Sequence, residues 1–244
     1  MKKLFTDTII SGINEIISIT GDDYNHLTKS LRVKIGEKFL LGDKNGLEYN
    51  SFISDINKSE LFLTVLSISR KKRIKQFETI LYFPLLKNDR TELILQKCTE
   101  IGIDYFIPIM TENTIIKMNN NFDNKINRWN SIIKEASMQS GREKVPELKN
   151  IMTIHEIPHI DTDNALGIIG DIHGDLFSST ILKKNHIKQI YSIIGPEGDF
   201  TKKEIETLKD KSFTPINLSD TILRSETACI YISSILSVNN MGEI

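Results

Sequence analysis

Between residues 36 and 68 the apolar positions come in short bursts separated by polar turns. Phe39-Leu40-Leu41 is one burst, and Asp43-Lys44-Asn45-Gly46 after it is a turn in which Gly46 supplies positive φ. A second strand runs to Ile56, Asn57-Lys58-Ser59 turns the chain, and Leu61, Leu63 and Val65 give partial period-two alternation. These spacings predict a small β-rich unit, a barrel or sandwich. From residue 77 the period changes. Thr79–Phe83 reads as a buried strand, followed by Asp89-Arg90-Thr91-Glu92, a helix cap with Glu three places on. Leu93, Ile94, Cys98 and Ile101 then recur at helical spacing, and Gly102 closes that helix. Tyr105-Phe106-Ile107 is the next strand. Ile126, Trp129, Ile133 and Ala136 predict a second amphipathic helix ending at Gly141. Ala165–Ile169 and Ile190–Ile194 are two more apolar strands. Strands alternating with helices predict an α/β domain with a mainly parallel sheet, its ligand beyond the carboxyl ends of the strands.

Composition changes this picture little. The 244 residues are 39% hydrophobic and 26% charged, the profile of a folded globular chain. No apolar stretch approaches the ~20 residues of a membrane span. Asp7 interrupts any signal-peptide core, so the expected compartment is the cytoplasm and no membrane partner is expected. Cys98 and Cys229 are far apart and form no CxxC, arguing against a disulfide framework. Charge is more informative. The net charge of −1 divides into +4 over residues 1–75 and −5 over 76–244. Arg70, Lys71, Lys72, Arg73 and Lys75 form a basic run with no acid among them. It is either a solvated linker or a strip that contacts phosphates. The run places a domain boundary near residue 74, giving domains 1–74 and 75–244.

His155-Glu156-Ile157-Pro158-His159 matches the zinc-protease pattern H-E-x-x-H. That chemistry needs both histidines on one continuous helix, which Pro158 forbids, and no metal site is expected. Dinucleotide, P-loop and nucleophile-elbow signatures are absent. The informative segment is Ile194-Gly195-Pro196-Glu197-Gly198-Asp199-Phe200-Thr201. Here a strand end runs into a glycine loop, and Thr201 and Glu204 form a capping box braced by a Phe200–Ile205 staple. Such a loop brings backbone groups close to a flat ligand. A second segment spans Leu218, Ser219, Asp220, Thr221, Ile222, Leu223 and Arg224, then a helix starting at Ser225 with Glu226, Thr227 and Ala228. Arg224 stands where the helix dipole disfavours a cation, which hints at an anionic partner.

Together these segments resemble the 16S ribosomal RNA uridine N3-methyltransferases of the SPOUT class. Gln96–Gly102, Glu135–Arg142 and, in the first domain, His26-Leu27 and Leu31-Arg32 extend the resemblance over nearly the whole chain. Asp199 and Ser219 depart from it, each standing where the family usually has glycine.

The resemblance implies a PUA-like RNA-binding barrel followed by a SPOUT domain whose chain is threaded through a deep trefoil knot. It implies S-adenosylmethionine as cofactor. The cofactor would be held by Ile194, Gly195, Pro196, Glu197, Gly198, Leu218, Ile222, Leu223, Ser225, Thr227 and Ala228. Arg224 would stabilise an anionic uracil or a phosphate, and Glu197 or Glu226 would accept a proton. Ion pairing with Arg224 is the structural alternative for the two carboxylates. Arg32, Arg70, Lys71, Lys72, Arg73 and Arg142 are the candidate RNA contacts. Lys97 and Glu100 read as an exposed i, i+3 pair. The partners implied are 16S rRNA or the small ribosomal subunit and a second copy of the chain. The homodimer also fits the apolar face Ala228, Cys229, Ile232, Ile235 and Leu236, although periodicity alone favours packing of that face on the chain's own sheet. The rival reading from another class is a non-catalytic RNA-binding or ribosome-assembly factor that keeps the fold.

Overall fold

Leu61, Leu63 and Val65, the alternating residues, are fully buried in the computed structural model. It describes residues 2–70, 75–87, 89–114, 122–178, 182 and 186–240. The chain divides into two compact units, residues 1–73 with 137–145, and residues 74–136 with 146–244.

The first unit contains β1 (Lys2–Phe5), β2 (Ile16–Thr20), the short helix α1 (Gly21–Asn25), a π-helical turn at His26–Ser30, β3 (Lys38–Gly42), β4 (Glu48–Ile56) and β5 (Glu60–Arg70). Its sheet runs β1-β3-β4-β5-β2, parallel between β1 and β3 and antiparallel elsewhere. Three register shifts bend the β4–β5 pair. The sheet therefore curls about one core, to which all five strands contribute: Leu4, Ile17, Phe39, Ile53 and Leu63 lie in it together. Gly46 adopts φ +81°, and Asp43 Oδ1 accepts from the N–H groups of Asn45 and Leu47 at 2.9 and 2.8 Å. Met138 packs on this core, and the ammonium of Lys3, buried against Glu48, also reaches the carbonyl of Gly141. These contacts hold Ser137–Val145 in the first unit.

The second unit contains β6 (Glu78–Pro84), α2 (Arg90–Ile101), β7 (Tyr105–Met110), α3 (Phe122–Gln139), β8 (Glu147–Leu148), β9 (Met152–Thr153), β10 (Ala165–Leu176), β11 (Gln189–Ile194), α4 (Lys202–Asp210), β12 (Phe213–Asn217) and α5 (Ser225–Asn240). The sheet order is β12-β10-β11-β6-β7-β8, with β9 also on β7, and every pairing is parallel. The buried strands are apolar on both faces, as a covered parallel sheet requires. Gly102 ends α2 with φ +136° and donates to the Cys98 carbonyl at 3.0 Å. Asp89 does not cap α2 with its side chain. Thr91 Oγ1 instead accepts from Leu86 N–H at 2.9 Å and donates to its carbonyl at 3.1 Å, pinning the loop after β6. The H-E-x-x-H segment has only His155 and Glu156 in a three-residue 3-10 turn, Ile154–Glu156, and leaves it at the extended Ile157. Glu156 serves there as a cap, accepting from Thr153 N–H at 2.7 Å and its hydroxyl at 2.8 Å.

Candidate functional site

A wholly parallel sheet sends the segments after β6, β7, β10, β11 and β12 out at one carboxyl edge. The glycine loop leaves β11 there and Leu218–Arg224 leaves β12. Their first residues meet over β10. A Cβ on Gly170 would lie 2.5 Å from Ile194 Cδ1 and 3.5 Å from Leu218 Cδ1. The missing side chain is the bed on which both side chains rest.

The start of α5 reaches the same edge. Its far end is fixed at the amino edge, where Asn240 bonds the backbone of Gln76 and Phe77 and Ser237 Oγ donates to the Ile101 carbonyl at 2.8 Å. Sixteen helical residues span ~24 Å. The seven residues of β6 beneath span ~23 Å. Arg224, Ser225 and Glu226 thus stand at the carboxyl edge, where the Arg224 carbonyl accepts the first helical bond from Ala228 at 2.8 Å.

The glycine loop is restrained from three directions. Asp199 N–H closes a turn onto the Pro196 carbonyl at 2.9 Å. Thr201 and Glu204 form the expected capping box, and the second oxygen of Glu204 accepts from Glu112 N–H at 2.9 Å. Asn113 Nδ2 then donates to the Gly198 and Asp199 carbonyls at 2.8 and 2.9 Å. Glu197 pairs with Arg90 at 2.5 Å and not with Arg224. Asp199 has φ +59°, a conformation that glycine adopts freely and Asp tolerates better than most residues. Ser219 is not in the left-handed region; it accepts from Thr221 N–H at 3.2 Å and donates from its own N–H to Asn217 Oδ1 at 3.2 Å.

Ile194, Gly195, Pro196 and Leu218 are buried, as are Ser225 and Glu226. Glu197, Gly198, Arg224 and Thr227 are exposed, Leu223 and Ala228 half-buried, and Ile222 is 83% exposed. Among the described residues no carboxylate pairs with Arg224, and Glu226 Oε2 is buried with no hydrogen-bond partner. Burial pushes the Cys98 thiol up to about 12 and that of Cys229 well above its ordinary value. Neither thiol is a nucleophile at neutral pH.

The RNA candidates lie elsewhere. Arg32 is exposed with φ +47°, two residues after the π-helical turn. Arg142 belongs to the first unit, where its Nε donates to the Lys144 carbonyl at 3.3 Å. Lys71, Lys72, Arg73 and the side chain of Arg70 lie outside the described residues. Lys97 and Glu100 pair at 2.9 Å.

Arg90, Glu112 and Asn113 are the functional-edge residues that the sequence reading missed. Arg90 had a signal, being a cation in the first turn of a helix, the same anomaly that marks Arg224. Asn113 had none, because its bonds cross 85 residues of chain.

Residues 73–237 match the RNA methyltransferase domain family, and residues 19–66 match the RNA methyltransferase PUA domain. A ribosomal RNA small subunit methyltransferase E 2 from Borreliella burgdorferi is 30% identical over 236 residues, covering 95% of this chain and 94% of its own. The chain belongs to the small subunit methyltransferase E family. A Bacillus subtilis member is 26% identical over 97% of this chain and 96% of its own. The Neisseria gonorrhoeae member, solved with bound S-adenosyl methionine, superposes with a TM-score of 0.86 at 22% identity, covering 98% and 97% of the two chains. The fold of this family member is thus a PUA-like β unit followed by a parallel-sheet unit that matches the RNA methyltransferase domain.

Proposed function

We propose that the protein transfers a methyl group from S-adenosylmethionine to N3 of a uridine in 16S rRNA of the small ribosomal subunit. The observation that carries this reading is the convergence of the glycine loop and the start of α5 at one sheet edge, with Ile194 and Leu218 meeting over Gly170. Family membership supplies the reaction class, and the relative solved with S-adenosyl methionine supplies the cofactor's identity. The residues suit that cofactor. The buried Glu226 oxygen lacks a donor, and the cofactor brings amino, hydroxyl and sulfonium groups. Ile194, Gly195, Pro196, Glu197, Gly198, Leu218, Ile222, Leu223, Ser225, Thr227 and Ala228 would hold it.

When bound, the cofactor supplies the methyl group as an electrophile on sulfur. This chain's residues do the rest. Removing the uracil imide proton leaves an anion. Arg224, at a helix N-terminus with no carboxylate partner among the described residues, is the charge that stabilises it or the adjacent phosphate. Glu197, exposed but engaged by Arg90, or Glu226, buried beside the cofactor site, accepts the proton.

The first domain, expected over residues 1–74 and joined in the structure by 137–145, binds RNA through Arg32 and the basic run, with Arg142 as a further contact; the rest of residues 75–244 forms the transferase domain. The chain crosses from the edge strand β12 to α5, which lies over α2, β6 and β11. That path supports a trefoil-knotted thread through residues 218–224. A homodimer in the cytoplasm belongs to this reading through the resemblance alone, because Cys229, Ile232 and Leu236 of the apolar α5 face are fully buried within the single chain, where α5 packs on α2, β6 and β11. Among the described residues no helix is long and apolar enough to cross a membrane. Thermal-shift measurements test the cofactor assignment: S-adenosylmethionine raises the melting temperature and ATP does not. Stabilisation by ATP alone would overturn it.

A further inference from the structure

A cavity of about 100 Å³ opens beside the carboxyl end of β6, among residues the proposed reaction does not use. Its apolar surface is Leu85, Leu86, Phe122 and Trp129, each buried. Trp129 meets Phe122 edge-on at 5.6 Å between centroids and Phe83 at 6.4 Å, so the rings are fixed. The Thr91 hydroxyl holds both backbone polar groups of Leu86, so the wall is formed in advance. The polar lining is Glu92 and the exposed Lys125. Both oxygens of Glu92 face Arg128 at 2.7 Å, which neutralises the carboxylate while leaving it lone pairs to accept with.

We propose that this cavity receives one unpaired nucleobase of the RNA, a neighbour of the methylated uridine rather than the uridine itself. The proposal rests on the rRNA methyltransferase reading. The volume is of the order of the roughly 150 Å³ cavity that accepts a benzene ring, so it suits one planar ring. The rims of Phe122 and Trp129, 8% and 5% exposed, can meet the face of a planar base edge-on, a contact that every base allows. Glu92 can accept from an exocyclic amino or ring N–H group, and Lys125 at the mouth is placed for the phosphate of the same nucleotide. None of the lining residues belongs to the two loops assigned to the cofactor, whereas the methylated base must touch the methyl group. Arg90, next to Thr91 in sequence, pairs with Glu197 of the glycine loop, so the cavity and the loop share an edge.

Trp129 is the sole tryptophan of the chain and so reports occupancy directly. The experiment titrates the full-length protein with a 16S rRNA transcript. It follows tryptophan emission, filter binding and transfer of tritiated methyl in parallel. Saturable quenching that tracks filter binding is expected. Lys125→Glu, a surface change, should weaken RNA binding about tenfold and leave S-adenosylmethionine affinity unchanged. Phe122→Leu should reduce the quenching while retaining the melting temperature within a few degrees. Emission that stays constant while RNA binds and is methylated would overturn the cavity's role and leave the methyltransferase reading intact. Unaltered RNA affinity in Lys125→Glu would do the same. An RNA neither bound nor methylated by a protein that still binds S-adenosylmethionine would overturn both.

Discussion

Replacing Glu204 with alanine should loosen the glycine loop without touching any group proposed to contact substrate. The Glu204 carboxylate, 5% exposed, accepts from Thr201 N–H at 2.8 Å and from Glu112 N–H at 2.9 Å. It thereby ties the start of α4 to the segment after β7, whose Asn113 holds the carbonyls of Gly198 and Asp199. Hydrogen bonds to a charged group contribute roughly 1.5–3 kcal/mol each. Water replaces part of that once the side chain is gone, so the loss should be about 3 kcal/mol, near the lower end for two bonds. In a chain of this size that lowers the melting temperature by about 6–12 °C. Glu204→Gln keeps one acceptor oxygen and should lose about half as much. Differential scanning fluorimetry measures the stability, and isothermal titration with S-adenosylmethionine measures the loop, where a rise in Kd of about tenfold is expected. A change below ~0.5 kcal/mol would show that the capping box and its link to Glu112 are not what holds the loop. A normal Kd in a destabilised protein would separate the loop's stability from cofactor binding and refute that step.

Arg224→Ala should lower methyl transfer by about 10²–10³-fold and change cofactor affinity only a few-fold, because the loop binds through backbone and apolar groups; near-normal turnover on rRNA would remove Arg224 from the mechanism. Neutralising Arg70, Lys71, Lys72 and Arg73 together should lower the log–log salt slope of RNA binding by about 0.7–0.9 for each phosphate that is no longer neutralised; an unchanged slope would make the run a solvated linker. The buried thiols give a pH prediction. Cys98, raised to about 12, and Cys229, also raised, stay neutral in the folded state, whereas in the unfolded chain they ionise near ~8.5. The unfolded state therefore sheds protons first, so stability is full below about pH 8.5 and declines as pH rises toward 12, by at most ~1.4 kcal/mol per unit per thiol. Urea midpoints from neutral to alkaline pH should fall less steeply in Cys98→Ala and Cys229→Ala, and identical slopes would refute the assignment.

Strands β3 to β7, β10 and β11, with α2, α3 and the start of α5, were legible because burial imposes a period on consecutive residues, and Thr201 with Glu204 was legible because a cap is local. What stayed hidden did so for equally physical reasons. β1 and β2 are short and depend on partners in β3 and β5, with β1 pairing 37 residues along the chain at Lys2 and Phe39. Ser137–Val145 joins the first unit through Met138 and the Gly141 carbonyl, contacts that no local pattern encodes. Asp89 and Glu92 have cap spacing, but Thr91 took the loop and Arg128 took Glu92. At the site, the glycine loop and Arg224 stood out in sequence. Their meeting over Gly170 did not, because it depends on β10 lying between β11 and β12.

The central claim is the reaction itself. Purified protein should be incubated with tritiated S-adenosylmethionine and small ribosomal subunits, or their 16S rRNA, from a strain lacking this gene. The rRNA is then digested to nucleosides and analysed by mass spectrometry. The account predicts saturable incorporation at one site, with 3-methyluridine as the product and almost no transfer by Arg224→Ala. Intact binding of RNA and S-adenosylmethionine with no methyl transferred to either substrate would contradict it and leave the assembly-factor reading in its place.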